Sequence, residues 1–144
     1  MKIKPLVKDF IAPEYKTDNA GAFDIYLQED IKITEGFINY INLGFAAAIP
    51  EGYVGILVPR SSIGIKGIGL RNTVGIIDSD YRGEWKACIV TDEQGKNSFG
   101  DEMSFKRGER LLQCLIVPIK KETIEIVDDL ELTSRSGGFG STGA

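Results

Sequence analysis

Residues 50–59 read PEGYVGILVP, a turn signal followed at once by a short apolar run. Pro-Glu-Gly is typical of a tight turn, and Tyr53–Val58 has the length and the β-branched residues of a strand. The same pattern repeats along the chain. The other predicted strands are Ile3–Val7, Ala22–Leu27, Phe37–Leu43, Trp85–Val90, Leu111–Ile119 and Ile124–Ile126. Many short strands at this spacing predict an all-β barrel, sandwich or jelly roll, with one short helix at Ser61–Lys66 at most.

Composition narrows the class of protein. The chain has 144 residues, 42% hydrophobic and 26% charged, which is typical of one folded domain. No apolar run approaches the roughly 18 residues of a membrane helix, and the start, MKIKPLVKDFIAPEY, does not resemble a signal peptide. We therefore expect a cytoplasmic protein that binds no membrane. A net charge of −4 argues against a partner made of duplex nucleic acid.

The chain contains no histidine. Zinc sites built on histidine, Ser-His-Asp triads and Cys-His pairs are therefore excluded, and a general base must be Asp, Glu, Lys, Tyr or the amino terminus. A metal site would most naturally have oxygen ligands, which favours Mg²⁺. The two cysteines, Cys88 and Cys114, lie inside apolar runs and form no C-x-x-C pair, so we interpret them as buried free thiols.

Two polar segments next to apolar runs are candidates for chemistry. Arg60-Ser61-Ser62 could bind a phosphate through guanidinium, hydroxyl and backbone N–H donors, or it could be ordinary surface sequence. Asp78 follows two apolar residues and precedes a polar turn. Its carboxylate could orient and deprotonate a water molecule, or it could cap an Asx turn. From these residues alone both alternatives stay open.

Three further features allow two interpretations each. The amide of Gln113, inside an apolar strand, could serve structural hydrogen bonding or contact a phosphate or metal-bound water. Asp24 interrupts a β-rich run and could act near a metal or in a buried ion pair. The tail after Leu132 reads TSRSGGFGSTGA, with Phe139 as its only bulky apolar residue. That tail could be a frayed terminus or a lid that closes over a ligand.

Taken together, five segments resemble the motifs of the trimeric all-β dUTPase (deoxyuridine 5′-triphosphate nucleotidohydrolase) family. They occur in the family's order and span most of the chain. The segments are residues 20–25 (AGAFDI), 59–67 (PRSSIGIKG), 75–84 (GIIDSDYRGE), 110–113 (RLLQ) and 137–143 (GGFGSTG). The resemblance implies a distorted jelly-roll β-barrel and a homotrimer with an exchanged C-terminal arm. Residues 1–132 would form the catalytic domain, and residues 133–144 a flexible Gly-rich arm that closes a neighbouring active site.

The resemblance also implies an activity. It is the hydrolysis of dUTP to dUMP and pyrophosphate by Mg²⁺-assisted, in-line attack of water on the α-phosphorus. This reaction would limit the incorporation of uracil into DNA and supply dUMP for dTTP synthesis. The implied partners are dUTP and further copies of the chain, and the implied cofactor is Mg²⁺.

Roles follow from the resemblance, position by position. Asp78 matches the aspartate that activates the attacking water, and Asp24 and Gln113 match residues that hold Mg²⁺ through water. Tyr81 matches the tyrosine packed against deoxyribose, and Phe139 the aromatic ring that covers uracil. The other matching residues are Arg60, Ser61 and Ser62 at the phosphates, Asn72, Gly75, Ile76 and Ile77 at uracil, Lys86 beside the substrate, and Gly140, Ser141 and Thr142 in the arm.

One departure from the family's pattern lies in the arm. The family usually shows Arg, Gly, any residue, Gly, Gly, Phe, whereas here one residue fewer separates Arg135 from Phe139. Arg135 would therefore reach the γ-phosphate differently or not at all. Among rival functions, dCTP deamination needs a general-base glutamate on the strand after the Ile-Asp turn, and residues 85–90 (WKACIV) contain no carboxylate. A non-catalytic binding module is disfavoured by the intact Asp78, Gln113 and arm.

Overall fold

The computed structural model describes residues 1–91 and 101–133, and the regular structure within them is almost entirely β-strand. The all-β prediction is confirmed. In chain order the elements are β1 (Lys2–Pro5), β2 (Phe23–Tyr26), β3 (Ile31–Thr34), β4 (Asn39–Ala48), β5 (Tyr53–Pro59), α1 (Ser61–Gly64), β6 (Ile68–Leu70), β7 (Gly75–Ile77), β8 (Glu84–Thr91), β9 (Glu102–Phe105) and β10 (Arg110–Pro118).

Two four-stranded antiparallel sheets enclose the core. Their strand orders are β1-β4-β8-β6 and β2-β10-β5-β7, and β3 and β9 form a separate pair. Side chains alternate across each strand, so that in β8 Trp85, Ala87 and Ile89 face inward. The rings of Trp85 and Phe45 lie 5.0 Å apart between their centroids. Buried residues of both sheets join one hydrophobic cluster, as expected for two sheets packed face to face.

Strand β10 organises the second sheet because it pairs with β2 on one side and β5 on the other. Gln113 is opposite both Asp24 of β2 and Val58 of β5. Strand β7 pairs with the other side of β5, with Gly75 opposite Leu57. A β-carbon at Gly75 would lie 3.0 Å from the Leu57 β-carbon, so glycine permits this close pairing. Polar residues from distant parts of the chain are thereby brought to one sheet.

Some boundaries differ from the sequence-based expectation. The helix ends at Gly64 rather than Lys66, because the chain leaves it through i+3 turns and Gly67 has a positive φ of 74°. The strand predicted at Ile124–Ile126 is wrong for this chain: Ile124 is 92% exposed and Ile126 is 96% exposed. Alternating residues form a strand only where another strand supplies hydrogen bonds, and residues 119–133 pair with no strand of the described chain.

Four short strands, β3, β6, β7 and β9, were not predicted. Each has three or four residues, which is too few for an alternating pattern to stand out. Among the described residues no helix has the length and apolar character to cross a membrane.

Candidate active site

A half-buried ionic cluster lies where β2, β10 and β5 meet. Asp24 is 7% exposed, and its Oδ1 accepts a hydrogen bond from Arg60 Nε at 3.0 Å. Its Oδ2 accepts one from Arg110 Nη1 at 2.9 Å. Of the two interpretations of Asp24, the ion pair is therefore observed. These two guanidinium groups and one carboxylate carry together a net charge of +1, which suits an anionic ligand.

Gln113 borders this cluster from the centre of β10. Its Nε2 donates to the carbonyl of Pro59 at 3.3 Å, which ties the amide to the end of β5. Ser61 and Ser62 are exposed in the first turn of α1. A helix of four residues has little macrodipole, so hydroxyl and guanidinium donors would carry any phosphate binding here. The predicted phosphate segment and Gln113 are thus neighbours.

The loop between β6 and β7 forms one wall of a cleft. Asn72 Nδ2 donates to Val74 O at 3.0 Å, and Thr73, at a φ of 64°, donates its N–H to Leu70 O at 2.9 Å. The cleft has a volume of about 190 Å³. Its lining residues are Tyr40, Leu57, Leu70, Asn72, Gly75, Lys86, Ala87 and Cys88. It brings together three residues of the sequence-based set, Asn72, Gly75 and Lys86, on a mostly apolar floor.

Sequence analysis assigned no site role to five of the eight residues that line this cleft, among them Tyr40 and Cys88. Tyr40 and Cys88 are opposite each other on β4 and β8, and both face outward beside the cleft. Neither lies in a motif, and only the strand register could have pointed to them. Cys88 is half-buried, whereas Cys114 is fully buried and burial raises the pKa of its thiol to about 12. Both thiols are free, and the prediction of a buried free thiol is confirmed for Cys114.

Asp78 follows β7 and is exposed. Its side chain makes no hydrogen bond or ion pair with residues 1–91 or 101–133. Only its backbone carbonyl takes part in the turn, accepting the Tyr81 N–H at 3.2 Å. The alternative of an Asx-turn cap is therefore not observed, and the carboxylate is open to solvent. Before it, Ile76 is 56% exposed while Ile77 packs against the core.

Tyr81 leaves the same turn with its ring beside Gly83. Its hydroxyl donates to the carbonyl of Glu84 at 3.0 Å, and the residue is 44% exposed. Arg82 donates to the carbonyls of Ser79 at 2.6 Å and Tyr81 at 3.0 Å. Hydrogen bonds from the side chains of Tyr81 and Arg82 therefore hold the turn after Asp78.

Asp78 and the ionic cluster lie at opposite ends of β5. Ile77 is opposite Gly55, and Arg60 follows five residues later along the chain. At about 3.3 Å per residue, the two ends are on the order of 17 Å apart. One chain therefore does not place Asp78 beside Arg60, Asp24 and Gln113.

The remaining predicted site residues belong to the arm. Arg135, Phe139, Gly140, Ser141 and Thr142 lie outside the described residues. Within residues 1–91 and 101–133, no group of three or more His, Cys, Asp or Glu side chains could hold a metal ion.

Comparison with known proteins gives a consistent result. The dUTPase family profile matches residues 8–143. Deoxyuridine 5′-triphosphate nucleotidohydrolase of Nautilia profundicola is 39% identical over 145 residues, covering 99% of this chain and 98% of its own. That of Hydrogenobaculum sp. is 36% identical over 146 residues, covering 98% and 96%. The Staphylococcus bacteriophage 80alpha dUTPase with dUpNHpp has a TM-score of 0.84 at 27% identity, covering 99% and 98%. This chain belongs to the dUTPase family.

Proposed function

We propose that this protein hydrolyses dUTP to dUMP and pyrophosphate. The observation that carries the proposal is the division of the chain into two incomplete half-sites. One is the cationic end of β5, with Arg60, Asp24 and Gln113, and the other is the solvent-open carboxylate of Asp78. Family membership supplies the substrate class, and the relatives named above carry the name of this activity.

The distance between the half-sites supports a homotrimer. Asp78 of one subunit would meet the cationic cluster of another, because about 17 Å separates them within one chain. The segment after β10 supports the same arrangement, since Ile124, Ile126 and Leu132 are almost fully exposed. Apolar side chains exposed in succession are typical of a surface that a partner covers. Residues 133–144 would then continue onto the neighbouring site as its arm.

Base selection would take place in the cleft beside Asn72. The backbone around Gly75–Ile77 and the cleft wall, where Asn72 is fixed by its hydrogen bond to the Val74 carbonyl, would supply donors and acceptors to the edge at which uracil and cytosine differ. A wrong base leaves polar groups unpaired, and such a mismatch can cost on the order of 10⁴-fold in kcat/KM. Tyr81 would pack against the sugar and exclude a 2′-hydroxyl, and Phe139 of an arm would cover the ring.

Phosphate binding would rest on Arg60, with the hydroxyls of Ser61 and Ser62. Asp24 fixes the guanidinium of Arg60 through Nε, and Arg60 Nη1 donates to the carbonyl of Arg110 at 3.2 Å, which leaves Nη2 to face an anion. Arg110 is held by the same carboxylate. Because these donors are already oriented, less conformational entropy is lost when the triphosphate binds.

Asp78 would accept the proton of the attacking water. A carboxylate is the available base in a chain without histidine, and this one has no competing partner among the described residues. Positioned in line with the α-phosphorus, the water forms the new P–O bond while the bond to the β-phosphate oxygen breaks. Pyrophosphate leaves, and dUMP remains.

The residues present fit a magnesium ion bound through water. Asp24 and Gln113 are opposite each other across β10 and β2. Although Asp24 already accepts two hydrogen bonds, each carboxylate oxygen retains a lone pair for a water. Mg²⁺ commonly combines substrate phosphates, waters and one or two side chains. When bound, the ion would neutralise charge on the triphosphate and orient it.

A release assay for pyrophosphate across dUTP, UTP, dCTP and dTTP, with and without Mg²⁺, tests the proposal. We expect rapid release from dUTP alone, with a strong requirement for Mg²⁺. Ammonia release from dCTP would instead indicate a deaminase. The outward positions of β8 beside the cleft, Lys86 and Cys88, contain no carboxylate for that reaction. Comparable release from all four nucleotides would contradict the proposal.

A further inference from the structure

In the turn that follows Asp78, hydrogen bonds fix the backbone, but they do not fix the side chain of Tyr81. The closing hydrogen bond of the turn runs from Tyr81 N to Asp78 O, and Arg82 donates to the carbonyls of Ser79 and Tyr81. These bonds fix the main chain on both sides of Tyr81. They do not determine where the Tyr81 ring lies, because χ1 and χ2 remain free to rotate.

The ring occupies the space that a side chain at Gly83 would fill. A β-carbon built on Gly83 would lie 2.7 Å from Tyr81 Cζ and 3.0 Å from Cε2, and it would also overlap the hydroxyl oxygen. In this position the hydroxyl donates to the carbonyl of Glu84 at 3.0 Å. The orientation of Tyr81 therefore depends on the absence of a side chain two residues later.

Backbone strain does not explain the glycine. The φ of Gly83 lies outside the left-handed region, so an alanine could adopt the same backbone. Gly83 and Tyr81 are both exposed, so neither fills the core. The obstacle to a larger residue at 83 is the Tyr81 ring itself.

We propose that Gly83 is a specificity-determining positioning residue. By leaving room for the Tyr81 ring, Gly83 allows the Tyr81 hydroxyl to donate to the Glu84 carbonyl. This hydrogen bond then holds the ring in the orientation that excludes a 2′-hydroxyl. Deoxyribose is accepted and ribose is rejected because the ring cannot move away without losing that hydrogen bond. This inference rests on the proposed function, in which Tyr81 packs against the sugar.

A double-mutant cycle tests the inference. The ratio of kcat/KM for dUTP to kcat/KM for UTP is measured in the wild type, Gly83→Ala, Tyr81→Ala and the double variant. We expect Gly83→Ala to lower the ratio about tenfold or more, the scale of discrimination that one misplaced methyl-sized group changes. In the Tyr81→Ala background the same substitution should change the ratio no further, because the two residues act as a unit.

Gly69→Ala is the matched control, because a β-carbon there meets nothing within 4 Å. It should keep the ratio of the wild type. A wild-type ratio in Gly83→Ala, or an equal loss with and without Tyr81, would overturn the inference. If the wild type does not hydrolyse dUTP, the proposed function fails instead. A crystal structure of Gly83→Ala then still decides whether Gly83 positions Tyr81: a displaced ring supports that part of the inference, and an unmoved ring overturns it.

Discussion

The two ends of β5 contrast in how their polar groups are held. At the Pro59 end, Asp24 is bonded to both Arg60 and Arg110, and Gln113 is bonded to the Pro59 carbonyl. At the Tyr53 end, the carboxylate of Asp78 has no partner among the described residues. In the proposed function, the first end binds phosphate with donors that are oriented in advance. The second end would supply the general base from a turn that is held by its own backbone and by the Tyr81 and Arg82 side chains.

This difference predicts which substitutions change activity alone and which also change the stability of the fold. A group without partners can be changed with little effect on the fold, whereas a group in a half-buried ion pair contributes to both. Natural active sites often retain groups that add nothing to stability. Substitutions at the two ends of β5 should therefore differ in kind: those at Asp78 should change turnover alone, and those at Asp24 should also change stability.

The largest effect on activity is expected at Asp78, at the Tyr53 end of β5. Asp78→Asn should lower kcat by about 10²- to 10⁴-fold, the usual contribution of a general base. Because the side chain has no partner to lose, the free energy of unfolding should stay within about 0.5 kcal/mol of the wild type. Single-turnover kinetics and urea unfolding measure the two quantities.

Binding provides the control for Asp78→Asn. Calorimetry with a non-hydrolysable dUTP analogue should show affinity close to that of the wild type. A variant with near-normal turnover, or one that loses binding and turnover together, would show that Asp78 is not the base.

An intermediate effect is expected from the arm that would bridge the two half-sites. Deleting residues from Gly137 onward should lower kcat/KM by about 10²-fold, the scale of a loss of substrate positioning. The protein should remain folded, because the core cluster of the described residues is complete before the arm begins. Sedimentation and pyrophosphate release report the two outcomes. A fully active or an unfolded truncation would contradict this assignment.

At the Pro59 end of β5, the expected effect is on the stability of the fold. Asp24→Asn leaves two half-buried guanidinium groups without their carboxylate and should lower the free energy of unfolding by about 3 kcal/mol. The matched control is Asp30→Asn. Asp30 pairs with Lys106 at 2.7 Å, but its side chain is 59% exposed, and an exposed pair contributes little to stability because water screens it. Equal losses in the two variants, measured in urea, would remove the structural role from Asp24.

The smallest effect near neutral pH concerns Cys114, in the middle of β10. Burial raises the pKa of Cys114 to about 12, above the ordinary 9.0 of a thiol. The folded protein therefore holds a proton that the unfolded chain releases above pH 9. The resulting stabilisation is complete below pH 9 and is lost as the pH rises towards 12. Cys114→Ala should lack this part of the alkaline decline in unfolding free energy, and an identical decline would contradict it.

The sequence predicted three of the four long strands well; the fourth, β4, was predicted to end at Leu43 but continues to Ala48, beyond an irregularity in its pairing with β8. Strands β5, β8 and β10 have seven to nine residues with apolar character, and all were placed within about two residues. Strand β7, by contrast, has three residues, and its pairing with β5 depends on close contact between Gly75 and Leu57. Such pairing is determined by tertiary packing, which periodicity does not report.

The sequence predicts which residues form the candidate site, but it does not predict how they are arranged. The motifs identify Asp24, Arg60 and Asp78, yet their spacing along the chain contains no hint that Asp24 bonds to two arginines. Nor does it indicate that Asp78 lies at the far end of β5. These facts follow from strand register, and register is set by how both faces of a sheet pack. The role of Gly83 is likewise visible only once the Tyr81 ring is placed.

The central claim is that each active site combines Asp78 of one subunit with Arg60 of another. Mixing two inactive variants, Asp78→Asn and Arg60→Gln, and refolding them together tests it directly. In randomly mixed symmetric trimers, about a quarter of the sites would contain both intact residues, so about a quarter of wild-type activity should return. If both residues served the same site from one chain, no intact site could form. Activity no greater than that of the separate variants would contradict the account.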